Sequence, residues 1–243
     1  MDDDRKTFVV LENNPEVMTP LAHNLGLSQS LAFHDVYSLT DQDLLSLVPR
    51  PVHALLAIIP MTPSWNRLRE SEDADISNYS KSGPEEPVVW FKQTIHHACG
   101  SIGLLHCVMN GSAKSYISPN STVAKLREAA IPLGMAERAK LLYDSKEFEE
   151  EHAKVAHVGD TIAPDAEGGN KLGQHFVAFV KGDDGHLYEL EGSRKGPLDR
   201  GILEDDEDIL SPKALEKGIG RLIKLENQAG GDLRFSITAL CGM

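Results

Sequence analysis

The sequence has little cysteine, and what it has is badly spaced for cross-linking. Cys99, Cys107 and Cys241 are an odd number in 243 residues, so no disulfide framework is expected and a reducing compartment is. No two stand at CxxC spacing, which argues against a structural zinc site; neither metal nor cofactor is expected. Long apolar runs are also missing. The longest, Val52–Ile59, is interrupted by His53 and falls far short of the roughly 20 residues a membrane span needs. The start, Met1-Asp2-Asp3-Asp4, is acidic and lacks the apolar stretch of a secretory signal. A cytoplasmic protein is expected, with the nucleus left open, because no Lys/Arg cluster serves as an address. Positive charge is scarce: 24 Lys and Arg stand against 37 Asp and Glu, a net −13. Phosphate binding needs a basic face, so nucleic acid is a poor partner; with no spanning segment, no membrane partner is expected either. A basic protein or peptide suits the charge better, and plain solubility would explain it too.

What remains is the composition of a globular protein, 41% hydrophobic and 25% charged, long enough for one large domain or two small ones. Thr7–Glu12 reads as a strand. Asn14-Pro15-Glu16 reads as N-cap, N1 proline and first-turn acid of a helix that stops at Gly26, with Pro20 predicting a kink or a late start. Thr40-Asp41-Gln42-Asp43 opens a short helix ended by Pro49 and Pro51. Val52–Ile59 reads as a buried strand, and 61–87, rich in Ser, Glu, Asp and Pro, as a surface loop. Thr122–Ala130 and Met135–Ala156 read as helices. Residues 158–172 have no period and form a long mid-domain loop of the kind that is functional or disordered. His175–Val180 and Leu187–Leu190 read as a hairpin around Asp184-Gly185. Pro212–Lys224 reads as a helix, and Arg234–Ala239 as a closing strand. Strands and helices do not alternate strictly and no boundary is marked, so 1–243 reads as a single α+β domain.

One segment carries chemistry. In Ala98-Cys99-Gly100-Ser101-Ile102-Gly103-Leu104-Leu105-His106 a cysteine opens an apolar helix. The helix N-terminus offers unpaired N–H groups and a positive dipole end, which favour thiolate, the nucleophilic form. Gly100 would let a substrate backbone come close. From this segment alone, nucleophile and buried structural cysteine are evenly matched. Among ten histidines, His175 stands out, at the mouth of a strand apolar on both faces. His106, roughly 10 Å along the helix from Cys99 by the rise per residue, reads as a packed helix residue. Hairpin register places His175 opposite Gly192 or its neighbour Glu191. A carboxylate there would orient the imidazole, and a plain cross-strand polar pair is an equal reading. Gln93, six residues before Cys99, could donate to an oxyanion or be a surface glutamine.

Together these residues resemble the ubiquitin C-terminal hydrolase family of papain-like cysteine proteases. The carrying segments are Lys92–His106, His175–Val180 and Gly185–Gly192, with Leu11–Val17, Asp35-Val36-Tyr37, Val48–Val52 and Asp232–Phe235 in family order. The resemblance implies a knotted α+β domain with a central antiparallel sheet surrounded by helices. It implies that Cys99 attacks the carbonyl of ubiquitin's terminal glycine and that His175 is its base and acid. Glu191 would orient His175, while Gln93 and the Cys99 amide would form the oxyanion hole. Residues 158–172 would be the active-site crossover loop, favouring small or unfolded leaving groups. Glu12, Glu16 and Asp35 would meet the basic face of ubiquitin. The expected partner is ubiquitin, or a ubiquitin-like protein, acted on by a monomer. One departure matters. The family pattern has Asp at position 191, and the hairpin loop is one residue longer here. That keeps open a ubiquitin-binding protein with weak or no hydrolysis. A cysteine peptidase or acyltransferase on another substrate is the third reading.

Overall fold

A computed structural model of the chain describes residues 6–160 and 173–243. Residues 161–172, most of the loop predicted at 158–172, lie outside the described residues. At the centre are the two strands the sequence marks as apolar on both faces, β2 (Ala54–Pro60) and β3 (Gln174–Lys181), paired antiparallel from Ala54↔Val180 to Pro60↔Gln174. β6 (Ser236–Gly242) lies against the other edge of β2, with β1 (Leu31–Asp35) outside it. β4 (His186–Leu190) and β5 (Leu198–Ile202) extend the sheet beyond β3, giving the order β1-β6-β2-β3-β4-β5, every neighbouring pair antiparallel.

Both faces of this sheet are covered, which is why its middle strands show no polar alternation. On β3, Phe176, Ala178 and Val180 point to a core shared with α1 (Pro15–Leu25), α4 (Cys99–Met109), α5 (Thr122–Ala130) and α7 (Lys146–Val155). Val177 and Phe179 point the other way, to Trp65 of α3 (Pro63–Asp73), Leu215 of α8 (Pro212–Lys217) and Leu222 of α9 (Ile219–Ala229). No helix among the described residues is long and apolar enough to cross a membrane.

The predicted caps hold: Asn14 accepts from Glu16 N, Pro15 is at N1, and Gly26 closes α1 in the left-handed conformation. Pro20 neither ends α1 nor delays its start. The short helix α2 (Gln42–Leu45) is capped by Asp41. Four expectations are corrected. Residues 61–87 contain α3, whose start is signalled by Thr62, accepting from Trp65 N, and by Pro63 at N1; only Trp65 is buried, so its composition resembles a loop. Met135–Ala156 is two helices, α6 (Met135–Asp144) and α7, because Ser145 turns out of the helix and caps the second by accepting from Phe148 N. Pro212–Lys224 breaks at Gly218 into α8 and α9. Thr7–Glu12 is not a strand. Thr7 makes one parallel bridge with His96, and Phe8 N donates to His96 O at 2.8 Å. The first described residues are thus fastened to the chain just ahead of Cys99, not to the sheet. β1 was not foreseen, since its buried Leu31-Ala32-Phe33 does not alternate.

The hairpin is as expected, with a different register. Ala178 faces Leu190 and Lys181 faces Leu187. Carried past the last ladder pair, this puts Ser193 rather than Gly192 in line with His175.

Candidate active site

Cys99 is the first residue of α4, and Ala98 before it offers no side-chain cap. The leading N–H groups of the helix are therefore free for another acceptor. His97 reaches the helix through a positive φ of 58°, a sharp turn that exposes the residue after it. Cys99 is partly exposed, whereas Cys107 and Cys241 are buried. Gly100 is buried as well. A Cβ on it would lie 3.2 Å from the Phe176 ring and 3.3 Å from Leu11 Cβ. Its smallness lets α4 seat on β3, which corrects the expectation of room for a substrate backbone.

Three groups turn toward the Cys99 sulfur. Burial raises its pKa, but a hydrogen bond and charge from His175, with the backbone N–H groups of Phe176 and Gly100, outweigh this and leave it below the ordinary thiol value. For His175 the balance runs the other way. Burial opposes protonation, and the Glu191 carboxylate and the Cys99 sulfur overcome it, so its pKa is raised. Glu191 is 1% exposed; burial would raise its pKa, and His175 and Ser193 hold it down instead. The three groups thus favour thiolate, imidazolium and carboxylate together.

Glu191 Oε1 lies 2.8 Å from His175 Nε2. The oxygen sits off the N–H direction, so Nε2 has no aligned hydrogen bond, and charge more than direction holds the pair. The same oxygen accepts from Ser193 N at 3.1 Å and from Ser193 Oγ. Trp90 Nε1 donates to Glu191 O at 3.2 Å. Asp183 and Asp184, the other carboxylates of the hairpin, are engaged elsewhere, with Lys114 and with Tyr188 Oη respectively.

Gln93 is joined to this turn through the backbone. Its N–H donates to Gly192 O at 2.8 Å, and a Cβ on Gly192 would lie 2.9 Å from Gln93 Cβ. Only glycine at 192 lets the two segments touch. The Gln93 amide donates from Nε2 to Ile95 O at 3.2 Å, and its Oε1 is buried without a partner.

The acids expected at a partner's basic face are placed as follows. Glu16 is exposed in the first turn of α1. Asp35 ends β1, its carboxylate 3.4 Å from Tyr37 Oη. Glu12 instead accepts from Asp160 N at 3.2 Å, at the last described residue before 161–172. Asn13 ties this corner together: its Oδ1 accepts from Thr238 Oγ1, and Thr238 faces Asp35 across β1 and β6.

Two contributors were not foreseen. Ser193 had no local signal, since bonding the N–H two residues on is a habit of Asp and Asn, and residue 191 is Glu. His106, read as packing, is fully buried and accepts the Phe91 N–H on Nε2 at 3.0 Å. That fixes the tautomer with its proton on Nδ1. Burial pushes its pKa down to about 3, against the pull of Leu190 O and Glu191. A neutral imidazole on α4 thereby lies between the segment leading to Gln93 and the segment leading to Glu191. Among the described residues no group of three or more His, Cys, Asp or Glu could hold a metal ion.

Residues 8–224 match the family model described as ubiquitin carboxyl-terminal hydrolase, family 1. Ubiquitin carboxyl-terminal hydrolase 3 of Arabidopsis thaliana is 33% identical over 237 residues, covering 97% of this chain and 94% of its own. The isozyme L1 of Monodelphis domestica is 31% identical, with 95% and 96% covered. The catalytic domain of Trichinella spiralis UCH37, solved with ubiquitin vinyl methyl ester bound, superposes with a TM-score of 0.72 at 21% identity, covering 98% of this chain and 96% of that one. At that identity it shows the fold alone, an α+β domain.

Proposed function

Because the chain belongs to ubiquitin carboxyl-terminal hydrolase family 1, it is a cysteine-type deubiquitinase, and we propose that Cys99 is its nucleophile, His175 its general base and acid, Glu191 the group that orients His175, and Gln93 an oxyanion donor. The observation that carries the assignment is the contact chain from sulfur to imidazole to a buried carboxylate. With Nε2 turned to Glu191, Nδ1 is the nitrogen for the sulfur. The thiolate attacks the carbonyl carbon of ubiquitin's terminal glycine. Negative charge moves to the carbonyl oxygen, where N–H groups at the start of α4 and the Gln93 amide, turned from Ile95, receive it. As the C–N bond breaks, His175 gives its proton to the leaving amine. Water then attacks the thioester, His175 takes a proton from it, and the thiolate is released beside the imidazolium.

The off-line contact between Glu191 and His175 supports a second reading, a protein that binds ubiquitin and cleaves it weakly. The lowered Cys99 pKa favours the first. The two separate in a pH profile. With a fluorogenic amide on the ubiquitin C-terminus, kcat/KM is expected to be bell-shaped. It rises through an acid limb below the free thiol value of about 8.5 and falls through an alkaline limb above the free histidine value of about 6.5. One limb at the free thiol value would mean that no ion pair forms and would sink the assignment.

The reading takes 1–243 as one catalytic domain, supported by strands from both ends of the chain pairing in one sheet, acting as a monomer. It places the protein in the cytoplasm, supported by three free cysteines. The leaving group is small or unfolded, and the crossover loop that would select it lies mostly outside the described residues. Acids around Asn13 are the surface for ubiquitin's basic face. Glu12 already holds the base of the loop, so the charge test falls on the other two. Glu16→Lys with Asp35→Lys should raise KM several-fold and leave kcat in place, and an unchanged KM would remove both residues from the substrate surface.

A further inference from the structure

We propose that Ser193 is a positioning residue that holds the Glu191 side chain, one methylene longer than the aspartate the resemblance implies, against His175. The inference rests on the reading of His175 and Glu191 given above and adds the group that makes a glutamate workable there.

Glutamate has one more methylene than aspartate, hence one more rotatable bond, and must be restrained to hold one direction. Ser193 supplies the restraint twice, through N–H at 3.1 Å and through Oγ, both to Oε1. This is also the oxygen at 2.8 Å from His175 Nε2. An aspartate could close an ordinary Asx turn onto the same N–H; the glutamate closes a wider ring, and the hydroxyl adds a second donor. The serine is itself fixed from behind. Its carbonyl accepts from Lys92 Nζ at 2.8 Å and from an Arg69 guanidinium nitrogen at 3.0 Å. Lys92 is the neighbour of Gln93, and Arg69 comes from α3, the helix whose Trp65 ring lies 6.4 Å from the His175 ring. One residue therefore joins the carboxylate, the oxyanion segment and the helix beside the imidazole. The hairpin register, which puts Ser193 in line with His175, is what brings it there.

The test uses the full chain and two readouts. The first is hydrolysis of the fluorogenic ubiquitin amide. The second is the rate of Cys99 alkylation by iodoacetamide against pH, which needs no ubiquitin; the other two cysteines are buried. Ser193→Ala should lower kcat about tenfold with little change in KM. It should also move the alkaline limb of hydrolysis to lower pH and the acid limb of alkylation to higher pH, because a loosely held carboxylate supports imidazolium, and through it the thiolate, less well. Ser193→Thr, which keeps a hydroxyl, should restore both. In a Glu191→Asp background the effect of Ser193→Ala should be much smaller. Equal losses in the two backgrounds, or an alkaline limb that stays in place, would overturn the proposal. Wild-type hydrolysis with an unaffected Ser193→Ala would defeat this inference alone. Absence of wild-type hydrolysis would defeat the deubiquitinase assignment as well.

Discussion

Replacing Cys99 with alanine is expected to lower kcat on a ubiquitin C-terminal amide by about 10⁶, the scale seen when a triad nucleophile is removed, while leaving ubiquitin affinity nearly unchanged. The change deletes a single sulfur atom from the first residue of α4, where alanine suits a helix. Cys99 is only partly buried and packs at the margin of the core, so the melting temperature should change little. The effect on His175 should be visible as well. Without the sulfur's negative charge, one of the influences raising its pKa is gone, and its titration by NMR should move down. Stopped turnover together with ubiquitin binding by calorimetry checks both halves. Residual turnover above a few per cent of wild type would place the nucleophile elsewhere, although the remaining cysteines are buried and burial raises the pKa of each.

Glu191→Gln is expected to have the second largest effect, approaching the roughly 10⁴-fold loss in kcat that follows when a triad carboxylate becomes an amide. Glutamine has the same shape, and its oxygen can still accept from Ser193 N. What it lacks is charge. Glu191 is among the chief groups holding His175 protonated against burial. Without it the buried imidazole reverts to neutral, and Cys99 loses the partner that keeps it a thiolate. The amide can also turn its NH₂ toward the ring and fix the wrong tautomer. The loss should be accompanied by disappearance of the high alkaline limb. Glu191→Asp keeps the charge and should cost far less. If Glu191→Gln and Glu191→Asp are equally harmful, shape rather than charge is the contribution of this residue, and the pairing with His175 is incidental.

Where chemistry and local signals coincide, the sequence could be read. Cys99 sits at a helix start that small residues announce, and His175 opens a strand whose double-sided apolarity marks the middle of the sheet. Asn14, Pro15 and Gly26 frame α1 by backbone rules that need no tertiary context. α3 escaped because a helix with one buried residue has no apolar stripe, and its cap at Thr62 was hidden in a polar stretch. The split at Ser145 escaped because a serine between two runs of good helix formers looks like one more helical position until its hydroxyl turns to Phe148 N. Ser193 and His106 belong to a different class. Their value comes from which segments the fold brings beside them. Gln93 and Gly192 are nearly a hundred residues apart in the chain yet share a hydrogen bond, and no local pattern encodes that meeting.

The placement of β6 has a consequence for the order in which the molecule can assemble. This strand lies between β1 and β2, and it is the last of the six to leave the ribosome. Until Ser236–Gly242 is made, β1 has no neighbour in the sheet, and β2 presents a bare apolar edge of the kind that invites intermolecular pairing. The contacts that close the sheet, Leu31 with Gly242 and Ala54 with Leu240, are among the longest in sequence separation that the chain offers. Folding should therefore be slow. A chain lacking its final strand would be a template for aggregation, whatever the state of Cys99 and His175.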